Sequence, residues 1–315
     1  MKIAFHDNSL SLRGTTVALY DYAYWTREII GNESIILYNK NHIANNVDVY
    51  NKFKSQFNVY GYDNISEIDS ILSKENCDNF LMLKGGKYDG IKSSVCRNLI
   101  NAISVCGVDD INGDIFAMGS KWLSKITNYQ IPYVPYIVTL PKNEGNLRQE
   151  LNIPNDALVL GRNGGWETFD LLWVKESIIE VLNKRSDIYF VFQFTEPFIR
   201  HERVIFLPGT SNLDEKVLFI NTCDAMLHAR YIGESFGLSC AEFSIKNKPI
   251  ITYSESPEKN HIDILGDKGI YYSNKNDILQ ILLSLDKKHL NSNNWNMYQD
   301  YTPEKVIEKF KKIYL

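Results

Sequence analysis

The stretch that decides the fold is Gly233-Glu234-Ser235-Phe236-Gly237-Leu238-Ser239-Cys240-Ala241-Glu242. It contains two glutamates, one in a loop between glycines and one in an apolar segment that predicts a helix. An apolar segment at residues 224–227 precedes it, and another at residues 248–253 follows. This order of strand, turn, helix and strand is where open α/β sheets bind nucleotides, because helix N-terminal amides bind phosphate.

The rest of the chain repeats this alternation. Ile3-Ala4-Phe5 predicts a buried strand, and a helix over about residues 15–30 and a strand over 34–38 complete a β-α-β unit. Such a unit implies parallel strands joined by a right-handed crossover. Further strands are expected at residues 79–83, 101–106, 114–118, 157–161, 188–192 and 204–207, and a short helix at residues 147–151.

A proline-rich connector divides this pattern into two parts. Residues 131–141 contain three of the nine prolines, which fix φ and remove backbone donors. A chain of 315 residues is also long enough for about two domains. We therefore expect one α/β domain over residues 1–140 and a second over residues 141–296, with an amphipathic helix in the final segment 297–315.

Composition narrows the class of protein. A net charge of -4 gives no electrostatic case for general binding to nucleic acid or to anionic membranes. Five cysteines without a C-x-x-C pair argue against a disulfide framework and a zinc site. The N-terminus does not resemble a signal peptide, and no apolar run approaches the ~20 residues of a membrane span. These features predict a cytoplasmic protein.

The two glutamates suit the chemistry of a nucleotide-sugar. If the helix begins near Phe236, its first amides and dipole favour a phosphate, and Gly237 lets a ligand approach the backbone. Glu234 can then accept hydrogen bonds from sugar hydroxyls, and Glu242 can reach a ribose diol. The alternative is that Glu234 caps a helix and that Glu242 lies on its solvated face.

Three segments together resemble a known family. They are Glu234 to Glu242 with Phe-Gly inside, residues 147–154 followed by 158–162, and residues 204–209 followed by Asp214-Glu215. They are similar to the donor-binding region of retaining glycosyltransferases of the GT-B fold, the family 4 group (group 1). The resemblance implies two Rossmann-like domains facing across a cleft, with the final helix packing back on the first.

The resemblance also implies roles for individual residues. Glu234 and Arg162 would be the catalytic pair, Glu234 on hydroxyls of the donor sugar and Arg162 on the leaving diphosphate, which suits a planar guanidinium. The remaining donor-binding candidates are Ser235, Phe236, Gly237, Leu238, Glu242, Arg230, Gly164, Gly165, Thr195, Pro208 and Gly209. Candidates on the acceptor side of the cleft are Arg13, Gly14, Thr15 and Lys84.

The sequence departs from the family at two places. The lysine that usually follows the arginine is missing, and the first lysine after Arg162 is Lys175. The candidates to replace it are the amides of Gly164 and Gly165, or Arg230. A first-domain histidine is also missing, with Lys84-Gly85-Gly86 at the comparable place. The chain has no Asp-x-Asp tripeptide, which fits a metal-independent site with no cofactor beyond the nucleotide-sugar substrate.

The predicted function is transfer of a sugar, with retention, from a UDP- or GDP-sugar to an acceptor hydroxyl. The acceptor is a glycan, a lipid-linked glycan or another hydroxyl compound. Two alternatives remain open. One is a nucleotide-sugar epimerase or phosphorylase on the same fold, and the other is a non-catalytic relic that only binds a nucleotide-sugar.

Overall fold

The computed structural model describes all 315 residues, which separate into two compact units. The first unit comprises Met1–Ile137 together with Tyr301–Leu315, and the second comprises Val138–Asp300. The sequence placed the division after residue 140 and began the final segment at residue 297. None of the helices combines the length and apolar character that a membrane crossing requires.

The first unit contains six strands and four helices before the connector. In chain order they are β1 (Lys2–Asp7), α1 (Gly14–Ile30), β2 (Glu33–Asn39), α2 (Val47–Lys54), β3 (Asn58–Tyr62), α3 (Ile68–Lys74), β4 (Asn79–Lys84), β5 (Arg97–Ala102), β6 (Ile115–Met118) and α4 (Lys121–Ile126).

The six strands form one parallel sheet in the order β3-β2-β1-β4-β5-β6. Strand β4 is buried along its whole length, as expected for a parallel strand covered on both faces. Ala4, Leu37, Phe80 and Met82 belong to one apolar core that also takes residues from the helices. The order in which strands are added reverses between β1 and β4: β2 and β3 lie on one side of this point, and β5 and β6 on the other.

The second unit repeats this plan with more elements. They are β7 (Leu158–Asn163), α5 (Leu172–Lys184), β8 (Ile188–Gln193), β9 (Val204–Leu207), α6 (Leu213–Thr222), β10 (Ala225–His228), β11 (Gly233–Glu234), α7 (Leu238–Ile245), β12 (Ile250–Tyr253), β13 (Glu258–Lys259), α8 (Asn260–Leu265), β14 (Ile270–Tyr272), α9 (Lys275–Ser284) and α10 (Lys287–Asn291). Six strands form a parallel sheet in the order β14-β12-β10-β7-β8-β9, and β11 pairs separately with β13.

The last helix, α11 (Pro303–Tyr314), belongs to the first unit. Its buried residues recur at helical spacing, and the Phe310 ring lies 5.6 Å from the Tyr22 ring of α1. The Tyr314 hydroxyl donates to the Ile100 carbonyl at 3.0 Å, which ties the helix to β5.

Two local predictions from the sequence are wrong. The strand expected at residues 101–106 is β5, which ends at Ala102. Its start is fixed by the Asp114 carboxylate, which accepts from the Asn98 amide at 2.6 Å. Val105, predicted to be in that strand, is 49% exposed. The helix expected at residues 147–151 is a series of turns that ends at Asn152 with a left-handed φ of 54°.

Candidate functional site

The candidate site lies within the second unit, at the carboxyl ends of β7 and β10. These strands pair directly, with Met226 opposite Gly161. Strands β8 and β9 continue the sheet on one side, and β12 and β14 continue it on the other. Open α/β sheets bind ligands at such a reversal point, where the loops leave in opposite directions. Arg162 and His228 are at the ends of the two strands and therefore belong to this crevice.

Residues 233–237, here called the glutamate loop, are held in shape by two glycines. Gly233 has a φ of 79°, and a Cβ atom there would lie 2.1 Å from the Glu258 carbonyl oxygen of the paired strand β13. Gly237 has a φ of 89°, and its Cβ would lie 3.2 Å from that of Glu234. Only glycine fits at 233, so the loop carries Glu234 in close contact with β13.

The Glu234 carboxylate is paired at both oxygens. Oε1 lies 3.2 Å from His228 Nε2, and Oε2 accepts from Arg230 Nη1 at 3.1 Å. Burial works to raise the pKa of Glu234, but the His228 hydrogen bond and the Arg230 charge outweigh it and hold this pKa at about 2. Its side chain is still 21% exposed. Glu234 is therefore an ionised acceptor that a ligand can reach.

Behind Glu234 lies a buried chain of hydrogen bonds. His228 Nδ1 is 2.8 Å from Thr252 Oγ1, and the same hydroxyl is 3.1 Å from His261 Nε2. The two imidazole rings are 4.9 Å apart. Thr252 and His261 are fully buried, and burial lowers the pKa of His261 to about 3. His261 is therefore neutral at physiological pH.

Helix α7 begins two residues later than the sequence predicted. The expected start was near Phe236, but the first helical residue is Leu238 and Gly237 is the N-cap, with no side-chain cap. A left-handed Gly237 cannot belong to the helix, which explains the shift. The amides of Leu238, Ser239 and Cys240 are thus the first-turn donors, in place of those of Phe236, Gly237 and Leu238. The Phe236 carbonyl accepts from Asn260 Nδ2 at 2.9 Å.

Arg162 is almost completely buried, and its terminal N–H groups are donated to the protein. Nη1 contacts the Phe194 carbonyl at 3.2 Å and the Thr195 hydroxyl. Nη2 donates to the Gly165 carbonyl at 2.9 Å and to Thr168 Oγ1 at 2.5 Å. Burial lowers its pKa to about 10, while the Glu234 charge opposes this, so Arg162 remains a cation. Only Nε–H is left without a protein acceptor.

Arg230 is the more accessible of the two arginines. Its side chain is 31% exposed, and a single N–H of Nη1 is donated, to Glu234. A guanidinium carries five donors, so four remain for a ligand. The backbone carbonyl of Arg230 accepts from the Gly233 amide at 3.2 Å, which fixes the residue against the glutamate loop.

Glu242 lies on α7 but is buried, so the alternative of a solvated helix face is wrong for this residue. Its Oε1 is 2.7 Å from Lys216 Nζ on α6, and its Oε2 is 3.5 Å from Asn163 Nδ2. Sequence reasoning missed Lys216. A signal was present, because Lys216 shares a helical face with Phe219 and Ile220, which are both buried.

The other predicted donor-binding residues surround these groups. Gly164 and Gly165 form the turn over Arg162, and Ser235 lies in the glutamate loop. Thr195 follows β8, and Pro208 and Gly209 follow the neighbouring β9. The Phe194 amide donates to the Leu207 carbonyl at 3.0 Å, which brings these two loops together at the carboxyl edge of the sheet.

The predicted acceptor-side residues belong to the first unit. Arg13 and Gly14 are exposed at the start of α1, and Thr15 is half-buried. Lys84 is buried at the end of β4, where Nζ is 2.8 Å from Asp89 Oδ1. Sequence reasoning did not consider His6 on β1, whose Nε2 is 2.8 Å from the Tyr62 hydroxyl and whose Nδ1 is buried without a partner. No sequence signal marked it, because it continues an apolar strand.

No protein-family model matches the sequence, and no curated protein matches it. Solved structures do match. HepE from Anabaena, in complex with UDP-glucose, has a TM-score of 0.72 at 12% identity over 99% of this chain and 98% of that chain. A glycosyltransferase from Rickettsia africae has a TM-score of 0.68 at 14% identity over 99% and 97%. A candidate UDP-N-acetylglucosamine 2-epimerase from Listeria monocytogenes has a TM-score of 0.61 at 13% identity over 99% and 96%.

These matches establish the fold. Two six-stranded parallel sheets with flanking helices, one in each unit, make this a two-domain α/β protein of the GT-B fold. The fold class predicted from the sequence is thereby confirmed.

Proposed function

We propose that this chain is a glycosyltransferase that moves a sugar, with retention and without a metal ion, from a UDP- or GDP-sugar to an acceptor hydroxyl. The observation that carries the proposal is the ionised Glu234, fixed between His228 and Arg230 directly before the first-turn amides of α7. This arrangement sets an acceptor for sugar hydroxyls beside donors for a diphosphate. The shared fold with HepE, solved in complex with UDP-glucose, supports this class of donor.

The diphosphate would be bound by Arg230 and by the amides of Leu238, Ser239 and Cys240. Arg230 has unused donors and the amides have no other acceptor in the protein, so both are available to a dianion. Arg162 would act through its charge and by ordering the Gly165 turn, because its terminal N–H groups are already donated. Both cations would stabilise the charge that develops on the leaving diphosphate.

The ribose of the donor would be bound at Glu242 and Lys216. The Glu242 carboxylate offers hydrogen-bond acceptors. The Lys216 ammonium donates one N–H to Glu242 and has two further donors. Together they match the hydroxyls of a diol, which both donate and accept hydrogen bonds. In this proposal Lys216 also keeps the buried Glu242 charge compensated, so that the site does not repel the nearby phosphates.

The transfer step would break the bond between the sugar anomeric carbon and the phosphate oxygen, and form a bond to the acceptor oxygen on the same face. The departing phosphate oxygen would take the acceptor proton, so no separate protein base is required. The acceptor is a glycan, a lipid-linked glycan or another hydroxyl compound.

Incubation with UDP- and GDP-sugars in the presence of EDTA tests the proposal. Release of the sugar with its original anomeric configuration, or its transfer to an added acceptor, is the expected result. Glu234→Gln should abolish turnover, whereas Glu255→Gln, which alters an exposed glutamate of a neighbouring loop, should not. An inverted product would contradict retention, and inactivation by EDTA would contradict metal independence.

The same incubation separates the alternatives. Because a candidate epimerase shares the fold, an epimerised nucleotide-sugar would replace the transferase proposal by that activity. Binding without any turnover would indicate a nucleotide-sugar-binding relic.

A further inference from the structure

We propose that His261, Thr252 and His228, here called the histidine relay, are positioning residues that orient Glu234 toward the donor sugar. The inference rests on the proposed function of Glu234 and extends it to residues with no contact to the ligand. Four consecutive polar groups, from His261 Nε2 to Glu234 Oε1, are joined by contacts of 3.1, 2.8 and 3.2 Å.

The direction of the relay follows from its two ends. Glu234 is ionised and can only accept a hydrogen bond, so His228 Nε2 must carry a proton and act as the donor. At the other end His261 Nδ1 is buried without a hydrogen-bond partner. A buried N–H without an acceptor is costly, so this atom is the unprotonated nitrogen of His261. His261 Nε2 therefore carries the proton and donates to Thr252 Oγ1.

The Thr252 hydroxyl links the tautomer of His261 to the tautomer of His228. Its hydroxyl accepts from His261 Nε2, so its own hydrogen points to His228 Nδ1. His228 Nδ1 then accepts, and Nε2–H is left to face Glu234. A reversed Thr252 hydroxyl would place the proton of neutral His261 on Nδ1, where the protein has no acceptor. The buried orphan nitrogen thus sets the orientation of the whole relay.

The relay also supports the proposed phosphate site. A Cβ at Gly237 would lie 3.3 Å from the Cβ of His261, so His261 packs directly behind the N-cap of α7. Glu234 and Arg230 interact electrostatically with His261. Arg162, Glu258 and Cys240 interact with Glu234 at the other end of the relay. The Tyr272 hydroxyl donates to the His228 carbonyl at 2.7 Å. The relay thereby ties the sugar-binding carboxylate and the helix N-terminus to one buried structure.

The first test measures the tautomers in the full chain at neutral pH. Long-range ¹H–¹⁵N spectra of histidine-labelled protein, assigned with single His variants, should show His228 and His261 both protonated at Nε2 and unprotonated at Nδ1. A proton on Nδ1 of either residue would overturn the relay. This measurement needs no substrate, so it stands even if the proposed function fails.

The second test compares the affinities for UDP and UDP-glucose by calorimetry. Thr252→Val should weaken UDP-glucose about 10-fold relative to UDP, because Glu234 loses its fixed orientation while the phosphate donors remain. Thr252→Ser should restore most of this ratio. Thr222→Val, which removes an equally buried hydroxyl bonded to the Leu218 carbonyl at 2.8 Å, is the matched control and should leave the ratio unchanged.

Equal weakening of both ligands in Thr252→Val would show a merely structural role and overturn the positioning proposal. If the wild-type chain binds neither UDP nor UDP-glucose, the UDP-sugar form of the proposed function fails, and the tautomer measurement decides the relay by itself.

Discussion

The replacement Glu234→Gln should destabilise the second unit by an amount that the structure defines. Glutamine keeps the shape of the side chain but removes the charge that Arg230 and His228 hold in place. The pKa of Glu234 is held at about 2, against an ordinary value of 4.5. At 1.36 kcal/mol per pKa unit, this difference is worth about 3 kcal/mol of unfolding free energy at neutral pH.

The pH dependence has a definite sign. Because the folded-state pKa of Glu234 lies below its unfolded value, the carboxylate stabilises the fold fully above pH 4.5 and loses this effect as the pH falls toward 2. The stability gap between wild type and Glu234→Gln should therefore be about 3 kcal/mol at pH 7 and about half of that at pH 3.

Thermal unfolding across a pH series measures this gap. For a unit of this size, about 3 kcal/mol corresponds to a melting temperature lower by about 6–12 °C at pH 7. Glu258→Gln, on the paired strand β13, is the matched control, because burial and the Glu234 charge raise the pKa of Glu258. Its neutral replacement should raise the melting temperature at pH 7. Equal melting temperatures of wild type and Glu234→Gln at pH 7, or a gap that does not narrow below pH 4.5, would refute the reasoning.

The remaining predictions concern the arginines, the buried ion pair and the glycine. Arg230→Met should weaken UDP binding at least about 10-fold, and it should lower the melting temperature by less than Glu234→Gln does, because the His228 contact to Glu234 remains. Arg162→Met should cost at least about 2 kcal/mol of stability because it leaves buried acceptors unpaired. Unchanged UDP binding in Arg230→Met by calorimetry, or an unchanged melting temperature in Arg162→Met, would contradict the assignment. Lys216→Met should cost about 3–5 kcal/mol because the Glu242 carboxylate is left buried and unpaired, and adding Glu242→Met should recover most of that loss in urea unfolding. Gly233→Ala should destabilise by at least about 1–2 kcal/mol, since its Cβ would lie 2.1 Å from a backbone oxygen, and an unchanged urea midpoint would show that the loop relaxes.

The sequence could predict the fold because the pattern within each segment and the order of the segments along the chain point to the same architecture. Apolar runs such as Ile3-Ala4-Phe5 alternate with helical segments, and that order leaves a parallel sheet as the main solution. It could also predict that Arg162 and Glu234 share one edge, since each follows a strand and the carboxyl ends of parallel strands lie together. The start of α7 was missed because Gly237 adopts a left-handed backbone that the sequence permits but does not require.

The partners of these residues could not be predicted in the same way. Glu242 is paired with Lys216 of the preceding helix, and Thr252 and His261 come from elements after the glutamate loop. Such pairs depend on how helices pack against the sheet, which residue spacing along the chain does not specify. The hydrogen bond from Arg162 to the Thr195 hydroxyl likewise depends on the neighbouring strand β8, which brings Thr195 into contact.

The site carries the Glu234 carboxylate and, in the proposed function, also binds an anionic diphosphate. The two glutamates of the β11–β13 pair bear on how it does both. Glu234 is ionised because Arg230 and His228 stabilise its charge, whereas burial and that same charge raise the pKa of Glu258. Sugar hydroxyls would donate to the ionised Glu234, and burial disfavours a second negative charge at Glu258. Arg162 and Arg230 place two cations in electrostatic contact with Glu234, near the first-turn amides of α7. Cations and amides in this arrangement would stabilise a diphosphate leaving group, and the arrangement depends on the glutamate loop keeping its carboxylate turned toward Arg230.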